Sequence, residues 1–302
     1  MGKKTWLTYA YITMISWGIW GAFTNLPTKY GIPETIIYAI WALTMIVPAI
    51  IVLQRNNWKL EVNKSALKYG ALIGFLGAGG QMILFHAVKV GPPYLIFPII
   101  SLSPVITIGL SYFLLKERTG ILGGIGIILA LIALPMFELS GDTDFSDPLS
   151  SWFFLAILVL LAWGLQAYFM KKANETMDAE SIFFYMTVAG IILIPVALYM
   201  TDFDTVTWSI KGVALAGGIQ LLNAIGALCL VFAFRYGKAI VVSPLTNAGA
   251  PLMTAIISMI FLGVLPPTLK LIGIGLAVIA AIMISLEPEG EDEDNKESKA
   301  IG

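Results

Sequence analysis

Ala87-Val88-Lys89-Val90-Gly91 returns 146 residues later as Ala233-Phe234-Arg235-Tyr236-Gly237. The same number of residues beyond each glycine lies a proline, Pro98 in one copy and Pro244 in the other. Outward from this stretch the correspondence continues. Gly80 falls on Gly226, Val47-Pro48 on Ile194-Pro195, and Ser16-Trp17-Gly18 on Ala162-Trp163-Gly164. Past the prolines, Gly124-Ile125-Gly126 matches Gly273-Ile274-Gly275 after a small insertion. A common order at a near-constant offset identifies an internal duplication.

Each copy is mostly apolar. Of 302 residues, 58% are hydrophobic and 12% charged, with mean hydropathy +0.86. A soluble domain carries a charged fraction of roughly 25%, so the solvent for most of this chain is a bilayer. A span needs about 20 apolar residues to cross about 30 Å of hydrocarbon. Ten segments qualify: Trp6–Phe23, Thr35–Leu53, Ala66–Val88, Tyr94–Leu115, Gly120–Met136, Leu149–Met170, Ser181–Met200, Val213–Phe234, Ala239–Leu262 and Leu269–Leu286. The first follows Met1-Gly2-Lys3-Lys4 without a small-residue cleavage site and reads as a retained span. The expected fold is an all-α integral membrane protein. Residues 6–137 and 149–286 form two five-helix repeats, and 287–302 form an acidic tail expected to be disordered. Five is odd, so the second repeat enters the membrane from the opposite side and the two are inverted.

Charge orients the bundle. Of the 18 Lys and Arg residues, only Lys29, Lys89, Lys211 and Lys270 fall on one side of the ten-span arrangement. The other fourteen fall on the side of the termini. Basic residues concentrate in cytoplasmic loops, which predicts a multi-pass protein of the plasma or inner membrane with both termini in the cytoplasm. The 138–148 loop carries Glu138, Asp142, Asp144 and Asp147 with no basic residue, as suits the opposite side.

The Trp-Gly start, the glycine-then-proline approach to spans four and nine, and Ser103-Pro104…Phe113-Leu114-Leu115-Lys116-Glu117-Arg118 resemble the drug/metabolite transporter superfamily, in particular its EamA-like ten-span branch. The second copy departs from that signature: Leu262-Gly263-Val264-Leu265-Pro266-Pro267 lacks the Glu-Arg pair. The resemblance implies a ten-helix, two-repeat fold with a central cavity lined by spans one, three, four, six, eight and nine. It leaves the solute open among amino acids, sugars, nucleotide derivatives and drugs.

The residues themselves exclude several chemistries. All 19 acidic side chains fall in loops, at helix ends or in the tail. An ionisable group inside the membrane is costly and marks function by default, so no obligatory mid-membrane Asp or Glu proton carrier is expected, and no aspartyl intramembrane protease. No Gly-x-Ser-x-Gly, His-Glu-x-x-His or Walker sequence occurs. No enzyme activity, cofactor, metal site or nucleic-acid partner is expected. Cys229 reads as a small core residue and Glu117 as an ion-paired end of its loop, between Lys116 and Arg118. His86 near the end of span three reads either as a mouth contact or as an interfacial side chain.

Uncharged polar groups in spans need partners and so face the bundle or a wet cavity. Gln81, Ser101, Asn223 and Asn247 are the candidate substrate contacts, because hydroxyls and amides can both donate and accept toward neutral or zwitterionic solutes. Asn247 is matched to Ser101 by the repeat. Trp17 and Trp163 are candidate aromatic walls, with interfacial anchoring as the alternative. Pro98 and Pro244 are candidate gate residues, since each removes a helix hydrogen bond near a helix start. Inverted repeats recur among transporters. The expected function is therefore secondary transport of a small organic solute by alternating access, as a monomer or a homodimer in the lipid bilayer. A channel-like or receptor protein is the alternative.

Overall fold

A computed structural model describes residues 5–91, 93–138, 151–263 and 266–286. Thirteen α-helices and two short 3-10 turns are seen among them, and no strand. In chain order the helices are α1 (Thr5–Phe23), α2 (Glu34–Thr44), α3 (Ile46–Arg55), α4 (Lys64–Val90), α5 (Pro93–Ile100), α6 (Ser103–Leu114), α7 (Ile121–Glu138), α8 (Ser151–Ala173), α9 (Ala179–Ile192), α10 (Ile194–Tyr199), α11 (Ile210–Tyr236), α12 (Ala239–Leu262) and α13 (Thr268–Leu286).

Thirteen helices make ten spans because three spans are broken. Span two is α2 with α3, span four α5 with α6, and span seven α9 with α10. The sequence reading gave each of these as one continuous segment. Proline is the reason. Pro48 offers no N–H to the Thr44 carbonyl, Pro195 none to Ile191, and Pro104 none to Ile100, and each break falls within that missing turn. Pro48 and Pro195 are matched by the repeat, so the breaks in spans two and seven are one feature present twice. Among the described residues seven spans are long and strongly apolar, and α6 and α7 are shorter apolar helices. The 19-residue α1 is long enough, but its Thr, Tyr and Trp residues dilute its hydropathy.

Spans four and nine differ. α12 continues through both Pro244 and Pro251, whereas its counterpart is cut between α5 and α6. Pro98 and Pro104 are six residues apart, Pro244 and Pro251 seven. At about 100° per residue, seven residues bring the second proline back to the same helix face, so one smooth bend serves both. Six residues put the two prolines on different faces, and the helix divides.

The repeats are intertwined. α1 packs between α11 and α12 of the other repeat, and α8 packs against α4, α5 and α6. α7 and α13 pair along their lengths. At the first crossing Thr254 Oγ1 donates to the Gly18 carbonyl at 3.1 Å; at the second, Thr107 Oγ1 donates to the Gly164 carbonyl at 3.0 Å. The largest buried apolar cluster joins α1, α9, α11 and the start of α12, with Phe183 and Phe234 enclosed within it. Tyr9, Phe232 and Tyr236 stack beside it, with Tyr9 5.0 Å from Phe232 and 5.9 Å from Tyr236.

Candidate functional site

Trp17 and Trp163 occupy equivalent places. Trp17 Nε1 donates to the Asn223 carbonyl on α11 at 3.2 Å, and Trp163 Nε1 donates to the Gly77 carbonyl on α4 at 3.3 Å. Each indole lies over a glycine. A Cβ on Gly226 would stand 2.5 Å from Trp17 Nε1, and one on Gly80 would stand 2.6 Å from Trp163 Nε1. The two indoles therefore fasten the first span of each repeat to the third span of the other, and each leaves its remaining ring surface partly exposed.

Beside this symmetric frame the polar groups are unequal. On α11, Asn223 Nδ2 donates to Gln220 Oε1 at 3.2 Å, and Gln220 is buried. The matching positions on α4 are Gly77 and Gly74. Gln166 of α8 fills the space over Gly77. At the position matched to Gln166 stands Trp20, whose indole N–H is buried without a hydrogen-bond partner among the described residues. The Trp41 indole N–H is in the same condition. Nothing in the sequence marks Trp41 off from the other aromatic residues of the spans.

Of the six candidate contacts, Trp17 and Asn223 meet directly. Gln81 lies one turn along α4 from Gly77 and is partly buried. Ser101 sits in the break between α5 and α6, where its N–H donates to the Phe97 carbonyl at 3.0 Å. Asn247 lies inside α12; its Nδ2 donates to the Ser243 carbonyl at 2.9 Å, and nothing among the described residues donates to its Oδ1. Pro251 has no N–H to offer the Asn247 main-chain carbonyl. Asn247 thus presents acceptors in mid-helix. Pro98 is the sixth residue of α5 and Pro244 the sixth of α12. His86 is exposed on α4.

One end of the bundle gathers the basic residues. Here Glu117, just past α6, is buried, and its Oε2 accepts from the Ile240 N–H in the first turn of α12 at 2.9 Å. Lys171 Nζ at the end of α8 stands 3.9 Å from Glu117 Oε1 and donates to the carbonyls of Gly237 at 2.7 Å and Phe234 at 3.1 Å. Burial lifts the Glu117 carboxyl above the usual carboxylate range, opposed by the Ile240 N–H and the Lys171 ammonium. The partners of the Glu117 carboxylate therefore come from α8 and α12 rather than from Lys116 and Arg118, although Arg118 donates to the Glu117 main-chain carbonyl at 3.0 Å. Lys116 takes a left-handed conformation (φ 55°), which lets the Glu117 N–H return to the Ser111 carbonyl and turns the chain toward α12. Arg118 lies over the Tyr112 ring, 3.7 Å from its centroid. Beside this cluster Arg235 donates to Asp178 Oδ1 at 3.2 Å and to the Met177 carbonyl at 3.1 Å, and Asn174 Nδ2 donates to the Val231 carbonyl at 3.1 Å.

The opposite end carries different contacts. Thr201 Oγ1 donates to Thr35 Oγ1 at 2.7 Å, and the Thr207 N–H donates to the Gly31 carbonyl at 3.0 Å. Asn25, matched to Lys171, is exposed. Thr28, matched to Asn174, donates to the Asn25 carbonyl of its own loop at 2.8 Å.

Ten spans in two inverted repeats, with the first helix of each clasped by the other, define a polytopic membrane transporter. The chain belongs to the EamA-like transporter family, which matches residues 4–137 and 150–286. It is 25% identical over 234 residues to an uncharacterized transporter of Clostridium kluyveri, covering 74% of each chain. It is 30% identical over 95 residues to an uncharacterized protein of Methanocaldococcus jannaschii, covering 32% of this chain and 69% of that one. A crystal structure of another protein superposes with a TM-score of 0.76 at 16% identity, covering 92% of this chain and 98% of that one. That likeness concerns the fold alone.

Proposed function

We propose that this transporter moves a small, neutral or zwitterionic organic metabolite by alternating access, with Trp17, Gln81, Ser101, Trp163, Asn223 and Asn247 contributing to a cavity near mid-membrane. The observation that supports this reading is the unequal condition of the two ends. At the basic end, spans four, six, eight and nine are tied by Glu117, Lys171 and Asn174. At the other end the residues matched to Lys171 and Asn174 turn to solvent or to their own loop. Two copies of one pattern in two conditions are what a carrier with one end closed requires. The basic end is the cytoplasmic one in this reading, so the closed end faces the cytoplasm. Amide and hydroxyl groups together with indole surfaces suit a solute bearing both hydrogen-bonding groups and an apolar or aromatic part.

Counterflow in proteoliposomes tests the function. A carrier accumulates labelled solute against an unlabelled gradient, and a channel does not. The assay is run across amino acids, sugars, nucleosides and drug-like amines. For the solute found, Asn247→Ala is expected to weaken binding by a factor of roughly 2 to 12, the effect of one hydrogen bond of about 0.5–1.5 kcal/mol. Unchanged affinity in a folded variant would remove Asn247 from the site.

Orientation has its own test. Reporter fusions after Gly302 and within residues 142–147 are expected on opposite sides of the plasma or inner membrane, with Gly302 in the cytoplasm. Finding both on one side would overturn the ten-span orientation.

A further inference from the structure

In sequence, the Glu117 cluster has no counterpart at the matched positions of the other repeat. Glu117 is the only acidic residue that is buried among the described residues. It lies past the end of span four in the first repeat and reaches two elements of the second. Its carboxylate accepts from Ile240 N–H, and it stands beside Lys171, which itself holds the carbonyls of Phe234 and Gly237 at the turn between spans eight and nine. Three ends that a cytoplasmic opening must part are thus joined through one side chain and its neighbour.

The attachment point matters. Ile240 lies in the first turn of α12, and its carbonyl is the one that Pro244 cannot serve. The first turn of α12 is therefore one of its two easily bent parts, the other lying before Pro251, and the carboxylate holds that first turn directly. A carboxylate on free N–H groups at a helix start also meets the positive end of the helix dipole, which strengthens the hold.

The second repeat carries no such set. The position matched to Glu117 is Val264, and the one matched to Lys171 is Asn25. An apolar side chain can neither cap a helix nor pair with a cation.

We propose that Glu117, steadied by Lys171, is a one-sided latch on the cytoplasmic gate, a positioning pair that sets the resting balance toward the state closed to the cytoplasm. The proposal rests on the alternating-access reading above. It adds that the balance between the two states is fixed by side chains present in only one repeat.

The test uses the full-length protein with Cys229→Ser and spin labels at the exposed positions 116 and 236, on either side of the latch. Distances are measured in proteoliposomes with and without a transported solute. Glu117→Ala is expected to raise the population of the longer, cytoplasm-open distance by roughly five-fold or more without solute, the effect of losing a helix-capping acceptor. Lys171→Gln is expected to shift it in the same direction by less, and it supplies the reading if Glu117→Ala is not recovered folded. If the unsubstituted latch exchanges between two distances with solute while both variants keep its resting distribution, the latch is overturned and alternating access stands. If that reference protein keeps a single distance under all conditions, the alternating-access reading fails and the latch with it.

Discussion

Gly18→Ala and Gly164→Ala are each expected to destabilise the folded protein by about 1–3 kcal/mol net, although Gly→Ala inside a helix ordinarily stabilises by roughly 0.5–1 kcal/mol. At Gly164 an added methyl would stand 2.5 Å from Ile106 Cβ and 2.8 Å from the Ser103 main-chain oxygen. Main-chain atoms of a packed helix cannot rotate aside, so the helices must part. At Gly18 the methyl would run into Met253 Cβ, with the Met253 carbonyl carbon at 3.2 Å. Overpacking of this kind costs about 1–3 kcal/mol. Parting the helices also loosens Thr254 on the Gly18 carbonyl and Thr107 on the Gly164 carbonyl, each worth about 1 kcal/mol. The control is Gly218→Ala on α11, where nothing lies within 4 Å; it is expected to be neutral or slightly stabilising. Reversible unfolding in mixed detergent micelles measures all three. Equal behaviour of Gly18→Ala and Gly218→Ala would refute the close crossing of α1 and α12.

Pro98→Ala and Pro244→Ala are expected to move the resting conformation in opposite directions. The two prolines hold the same place in their helices but stand at opposite ends of the membrane in an inverted arrangement. Alanine restores the missing N–H to the helix and removes the clash of the ring with the preceding turn, a change of about 3 kcal/mol or more in a helix interior. Each variant therefore stiffens only its own end. With Cys229 replaced by serine, single cysteines at Tyr94 and Ala239 report access from the two sides to impermeant thiol reagents. Pro98→Ala should alter labelling at Tyr94 first, and Pro244→Ala at Ala239 first, with the conformational balance displaced oppositely. A shift in the same direction for both, or in neither, would reduce the prolines to packing features.

Fold and site were legible in the sequence to different depths. Hydrophobic runs of span length and the offset between Trp17 and Trp163 are properties of the chain alone, so the ten spans and their duplication could be read directly. The breaks at Pro48 and Pro195 were present as letters but not as geometry. A proline inside a span can bend it, divide it or leave it whole, as α12 does, and packing decides among these. The polar candidates divided for a similar reason. The indole N–H groups of Trp17 and Trp163 are held by main-chain carbonyls, and carbonyls carry no signature in a sequence. Glu117 was visible as a charge between two cations next to it, yet its partners lie 54 residues away at Lys171 and 123 away at Ile240. Adjacency suggests pairs on a loop, and only the fold reveals pairs across repeats.

The one-residue difference in proline spacing also bears on the timing of a transport cycle. Span four is two rods with a joint, and span nine is a single curved rod. A joint swings through a few backbone torsions, whereas a continuous rod must distribute the same deflection along several turns of hydrogen-bonded helix. In the alternating-access reading the two strokes of the cycle are expected to run against different resistances, even though one repeated pattern underlies both. In that reading, the outward and return half-reactions are expected to have distinct rate constants and distinct temperature dependences, with turnover following the slower, the one that bends the unbroken helix.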